Sequence, residues 1–186
     1  MDLVLIRRCQ AGEEEAFALL FEEYKNLVYR AAYLALGNAV DAEDILQEVF
    51  FQVHRSLDSY DPRRGAFTTW LHRITINRCL NWRRGRPRTD SLDELTGASE
   101  CTGALLPDRY AEDDCVRRAL GNLSRKLRVV VVLRHYGDLS YAEIAEIMDV
   151  PLGTVKSRLN LALRLLHDDL RSDFPCQARS VTEVPR

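Results

Sequence analysis

The sequence predicts an all-α protein of two small helical domains joined by a flexible linker, the C-terminal one a helix-turn-helix. Three observations carry that prediction. Apolar residues recur at three- and four-residue steps from Phe17 to about Arg84 and again from Asp113 to Leu170, the period of helices that bury one face. Between these stretches, Thr89 to Glu112 is dominated by Ser, Thr, Gly, Asp and Pro and holds no period. The segment Leu139 to Leu159 spells two short helices around a tight turn. The expected boundaries are therefore 1–88 for the first domain, 89–112 for the linker, 113–171 for the second domain and 172–186 for a disordered tail containing Pro175 and Pro185.

Taken in order, Phe17, Leu20, Tyr24, Leu27, Val28, Ala31 and Leu34 keep helical step, and Gly37-Asn38 closes that helix. The next helix is expected to begin after Asp41, with Ile45, Leu46, Val49, Val53 and Leu57 inward, and to end before the Asp61-Pro62 turn. Another runs from about Phe67 to Arg84. On it Trp70, Ile74, Asn77 and Asn81 share a stripe, with Trp70 expected in the core and the two amides either buried with partners or bordering a pocket.

Four helices are expected from Asp113 to Leu170. The second carries Leu127, Val130, Val131 and Arg134, although the run Val129 to Val132 prefers strand and only tertiary packing can override it. The third starts on an S-x-x-E capping box, Ser140 and Glu143, in which each side chain satisfies a backbone N–H left unpaired by the new helix. Ile144, Ala145 and Met148 give its apolar face, and Asp149 to Gly153 supplies the turn, with Pro151 expected at the first position of the last helix. There Val155, Leu159, Ala162 and Leu166 point inward, leaving Thr154, Lys156, Ser157, Arg158, Asn160 and Arg164 outward.

The composition excludes several classes. At 186 residues with ordinary apolar and charged fractions, the chain is globular, and its apolar runs are too short to span a bilayer. The N-terminus lacks the layout of a signal peptide, so a cytoplasmic location is expected. Cys9, Cys79, Cys101, Cys115 and Cys176 are scattered and odd in number, which fits reduced thiols better than disulfides or a zinc site. His54, His72, His135 and His167 are dispersed without a nucleophile or metal-ligand spacing around them. Neither enzyme activity, a small-molecule substrate nor a cofactor is expected.

Charge is more informative in its distribution than in its total. The net charge is −2, yet between Asp61 and Asp90 there is no acidic residue while Arg63, Arg64, Arg73, Arg78, Arg83, Arg84, Arg86 and Arg88 are all present. Such a block is a local footprint for phosphates. The last helix likewise carries no carboxylate from Pro151 to His167, as a helix entering the major groove requires. The helix of Ile45 and Val49 carries Asp44, Gln47, Glu48, Phe51, His54 and Arg55 on its outer side, where a phenylalanine among charges points to a covering partner. Plain core packing accounts for any one of these features alone. An autonomous helix-turn-helix regulator, with a ligand-sensing or dimerising first domain, accounts for the DNA motif but not for the arginine block with Asn77.

Together the motifs resemble the bacterial RNA polymerase sigma factors of the extracytoplasmic-function group, over nearly the whole chain. Asp41 to Arg55 resembles the polymerase-binding helix, Gly65 to Ile74 the promoter-melting region, and Gly153 to Leu159 the helix that reads the upstream promoter element. The resemblance implies that Asp44, Gln47, Glu48, Phe51 and Arg55 dock core polymerase at the clamp helices of its largest subunit, with a further contact at the flap. It implies that Arg63, Arg64, Phe67, Asn77, Arg83 and Arg84 hold the minus-10 single strand and capture a flipped base. Thr154, Lys156, Ser157, Arg158, Asn160 and Arg164 would read minus-35 duplex, and the linker would thread through the polymerase. The resemblance implies an anti-sigma factor as regulator, one able to hold the chain at the membrane. Two departures stand out. Asn160-Leu161-Ala162-Leu163 occupies a stretch where many members carry Arg or His, and Leu123-Ser124 replaces the usual Leu-Pro.

Overall fold

The structure, a computed structural model, describes residues 2–82 and 114–173, so the expected linker, the expected tail beyond Asp173, and Arg83 and Arg84 lie outside the described residues, and the last helix runs two residues past the expected boundary at 171. Among these residues it contains α1 (Asp2–Gln10), α2 (Glu14–Leu36), α3 (Ala39–Ser56), a 3-10 turn (Leu57–Ser59), α4 (Phe67–Asn81), α5 (Asp114–Asn122), α6 (Arg125–His135), α7 (Tyr141–Met148) and α8 (Leu152–Asp173), and no strand.

Local chemistry explains where the helices begin and end. Gly37 closes α2 in the left-handed conformation (φ 74°), its N–H donating to the Tyr33 carbonyl at 2.7 Å. Asn38 does not end α2 but starts α3, because its Oδ1 accepts from the N–H groups of Val40 (2.9 Å) and Asp41 (3.1 Å). The helix therefore begins at Ala39, before the expected start after Asp41. In α7 both halves of the capping box form: Glu143 N–H donates to Ser140 Oγ (3.3 Å) and Ser140 N–H to Glu143 Oε2 (2.8 Å). Asp149 then takes the left-handed turn (φ 51°). Pro151 stands one residue before α8 instead of inside it, its carbonyl accepting from Thr154 (2.8 Å) and Val155 (3.3 Å).

The valine run of α6 is helical because tertiary burial overrides strand preference. Val129, Val130, Val131 and Val132 are all at most 4% exposed, enclosed by α2 on one side and α7 and α8 on the other. Arg128, also buried, donates to the carbonyls of Gly121 (2.7 Å) and Leu123 (3.1 Å), which fixes the α5–α6 turn.

The two halves of the molecule share one core. It runs from Ile6 and Leu20 through Ile45, Leu71 and Ile76 to Val129, Ile144, Val155 and Ala162. α2 packs on α6 and α4 packs on α7. Thr69 Oγ1 donates to Glu143 Oε1 at 3.2 Å, Arg117 to the Tyr33 hydroxyl at 3.4 Å, and the Arg30 guanidinium lies 5.8 Å from the centre of the Tyr136 ring. Gly137 is hemmed in at this junction: a Cβ there would stand 2.8 Å from the Leu133 carbonyl of its own half and 3.4 Å from His72 Nε2 across it.

Candidate functional site

Three surfaces carry the residues singled out from the sequence. The first is the outer face of α3. Ile45, Val49 and Val53, all 0% exposed, pin the opposite face into the core. That anchoring leaves Asp44, Gln47, Phe51 and Arg55 exposed, with Glu48 half-exposed beside them. Phe51 is 70% exposed, the most open large apolar side chain among the described residues. Arg78 of α4 reaches across, its Nε donating to Gln52 Oε1 (2.9 Å) and its guanidinium pairing with Glu48 Oε2 at 3.5 Å. Both partners are exposed, so the pair orients Glu48 more than it stabilises the fold.

The second surface is the turn from Tyr60 to Ala66 together with α4. The turn is braced at several points. Gln10 Nε2 donates to the carbonyls of Leu57 (2.9 Å) and Tyr60 (3.4 Å), and the Tyr60 hydroxyl donates to the Gly65 carbonyl (3.1 Å). Asp61 Oδ1 accepts from the Arg63 N–H at 2.9 Å. Arg63 and Arg64 project from this braced turn into solvent, and Asn77 and Asn81 are exposed on α4. The amides are thus not buried.

Phe67 is a correction. Expected among the minus-10 contacts, it is 5% exposed and packs its ring against Tyr24 (5.0 Å), Tyr60 (5.3 Å) and Trp70 (5.6 Å). An aromatic at the start of a helix fills the core there, packed against the turn through Tyr60 and closed off from the surface. Trp70 is half-buried in the same cluster, in line with its expected core role.

The third surface lies on α8. Val155, Leu159 and Ala162 are buried, at most 4% exposed. Lys156, Ser157, Asn160 and Arg164 are exposed, and Thr154 and Arg158 are half-buried. Ser157 Oγ donates to the Thr154 carbonyl (3.0 Å), so its hydroxyl proton is already engaged within α8. Leu161, 40% exposed, stands among them.

Two buried groups lie behind these surfaces. His72 is 3% exposed with Nδ1 unpartnered, and burial pushes its pKa below the ordinary value. The Cys79 thiol is pushed up to about 12, chiefly by burial. Glu143 is held below the usual carboxylate range, first by the Ser140 backbone N–H and then by the Ser140 hydroxyl. Among the described residues no group of His, Cys, Asp and Glu could hold a metal ion, and no helix is long and apolar enough to cross a membrane. The sequence reading missed the Thr69–Glu143 contact between the two halves. Its partners lie 74 positions apart, and no local pattern links them.

Residues 20–89 match the Sigma-70 region 2 family and residues 113–166 the Sigma-70 region 4 family. The chain is 34% identical over 178 residues to the ECF RNA polymerase sigma factor SigW of Bacillus subtilis (strain 168), covering 89% of this chain and 95% of that protein. It is 37% identical over 174 residues to the ECF RNA polymerase sigma-E factor of Escherichia coli (strain K12), covering 85% and 88%. Among solved structures, it aligns with the sigma factor RpoE in complex with the anti-sigma factor NepR from Bartonella quintana at a TM-score of 0.69 and 25% identity, covering 84% of this chain and 98% of that one. With both sigma regions in order and relatives matched almost end to end, the chain belongs to the extracytoplasmic-function group of the sigma-70 family of RNA polymerase sigma factors.

Proposed function

We propose that this protein is an alternative sigma factor that binds core RNA polymerase and directs promoter-specific initiation, with the division of labour set out by its three surfaces. The α3 face of Asp44, Gln47, Glu48, Phe51 and Arg55 docks the clamp helices of the polymerase. Arg63 and Arg64 hold the displaced nontemplate strand of the minus-10 element, with Arg83 and Arg84 further along the same arginine block, and Asn77 contacts an extruded base. On α8, Lys156 and Arg164 contact phosphates of the minus-35 duplex while Asn160, Ser157, Thr154 and Arg158 face base edges. The chain supplies recognition; the polymerase supplies the chemistry.

The observation that carries this reading is Phe51, 70% exposed within a charged helix face, on a chain that also holds two separate cationic surfaces. A repressor that needs only duplex contacts has use for one of the three. Residues 1–88 and 113–171 act as the two DNA-reading domains, and residues 89–112 thread through the polymerase between them. An anti-sigma factor is the fitting regulator, because the RpoE structure that this chain resembles was solved with one. The chain works where the polymerase is, in the cytoplasm, and a membrane-bound anti-sigma factor is one way it can be held in reserve.

The test is transcription by purified core polymerase with and without this chain on a library of random upstream sequences. Transcripts that start behind one enriched pair of elements only when the chain is present support the reading. If core polymerase neither binds the chain nor gains initiation while the chain alone binds duplex DNA, it is an autonomous regulator instead.

A further inference from the structure

α1 braces the second surface through Gln10, and it also forms one wall of a cleft of about 270 Å³ whose other wall is the turn that presents Arg63. The cleft combines two chemistries. Leu3, Ile6 and Pro62 give it an apolar lining, and Arg7 from one wall and Arg63 from the other give it two guanidiniums. Among the described residues no hydrogen bond or ion pair engages either guanidinium. The one carboxylate of the lining, Asp61, is turned toward the backbone of its own turn, where Oδ1 accepts the Arg63 N–H at 2.9 Å.

Gln10 completes the lining in a fixed orientation. Its amide nitrogen faces two carbonyls, Leu57 and Tyr60, which only the NH2 end can satisfy, so Oε1 is left as the acceptor. Cations at the rim, an apolar lining and one oriented acceptor are what a single unstacked nucleotide needs: phosphate, base face and a base N–H in turn. The volume is ample for one base.

We propose that the cleft between α1 and the Tyr60–Arg63 turn binds a second nucleotide of the displaced nontemplate strand, besides the base captured at Asn77. Its phosphate lies between Arg7 and Arg63, its base rests on Leu3 and Pro62 with Ile6 buried beneath them, and a base N–H donates to Gln10 Oε1. The inference rests on the reading above that Arg63 and Arg64 hold that strand. It makes α1 a part of promoter recognition and extends the footprint by one nucleotide.

The test uses the full chain bound to core polymerase on a promoter recovered from the library, with a photoreactive thymidine analogue placed at successive nontemplate positions. One position is expected to crosslink within residues 3–10 and another to the Arg63–Asn77 segment. In parallel, Arg7→Ala is expected to weaken binding of a forked promoter fragment about five- to tenfold, to be rescued in part by Arg7→Lys, and to cause no further loss once the phosphate of the α1-crosslinking nucleotide is replaced by an uncharged methylphosphonate. Crosslinks on the Arg63–Asn77 segment but never on α1, with the Arg7→Ala loss unchanged at every methylphosphonate position, overturn the inference and leave the minus-10 reading standing. Crosslinks on neither segment overturn both. Because Arg7 is exposed, the substitution leaves the fold intact, and a thermal melt of the variant checks that.

Discussion

Replacing Phe51 by alanine separates docking from folding more cleanly than any other single change on this chain. A phenylalanine side chain offers on the order of 150 Å², and at 70% exposure roughly 105 Å² of it is left for a partner to cover. At about 25 cal/mol per Å², full burial contributes about 2.6 kcal/mol, so Phe51→Ala should weaken core polymerase binding by roughly 50- to 100-fold. The same side chain contributes little to the core, because Val49 and Val53 on the opposite face, 0% exposed, do the packing. Unfolding free energy should therefore change by less than about 0.5 kcal/mol. The assay pairs urea denaturation of the isolated chain with a fluorescence titration of labelled chain by core polymerase. A change in Kd below threefold, with the denaturation curve intact, would refute the docking role of α3, and a large loss of stability would refute the claim that Phe51 lies outside the core.

The other expectations concern DNA, protons and thiol chemistry. Lys156→Ala and Arg164→Ala, both at exposed positions, should each lower the slope of log K against log salt for minus-35 duplex by about 0.9 in titrations of the polymerase complex, and should leave binding of single-stranded minus-10 DNA unchanged. His72 has a folded pKa below its unfolded one because it is buried, so below about pH 6.5 the unfolded chain binds the extra proton and stability falls as pH falls. Urea titrations from pH 7.5 to 5.5 should show that decline at up to about 1.4 kcal/mol per pH unit, and His72→Gln should flatten it. Cys79, with its thiol pushed up to about 12 and 0% exposed, should stay unlabelled by iodoacetamide at pH 8 in the native chain and react fully in urea, as read by peptide mass spectrometry.

Elements with strong local chemistry were legible in the sequence. The capping box of Ser140 and Glu143 and the inward stripe Val155, Leu159 and Ala162 appear in the structure as expected. The α3 face was legible too, because a helical period alone separates Ile45, Val49 and Val53 from Asp44, Gln47 and Phe51. Misreadings arose where one residue type serves two ends. Asn38 follows a helix-closing glycine, yet its side chain caps the helix that comes next. Pro151 suits the first helical position, but here it supplies the carbonyl that precedes it. Phe67 sits beside two arginines in sequence and looked like a DNA contact, whereas the rings that enclose it, Tyr24, Tyr60 and Trp70, come from three separate segments. What periodicity cannot show at all is contact between elements far apart in the chain, and the seam between the two halves is of that kind.

That seam has a thermodynamic consequence. Under the proposed division of labour, the surfaces on α4 and α8 read two separate promoter elements, while Thr69 and Glu143 hold α4 and α7 together at 3.2 Å. On that reading, elements spaced farther apart than these helices are engaged at once only when the seam parts. The chain is then a two-state ensemble in which only the parted fraction is competent, and apparent promoter affinity is the intrinsic affinity scaled by that fraction. A hydrogen bond is worth about 1 kcal/mol net, so Thr69→Val should raise the parted population about fivefold. By linkage, a partner that grips α4 and α7 together opposes polymerase without touching Phe51 at all, and polymerase weakens that partner's grip by the same factor.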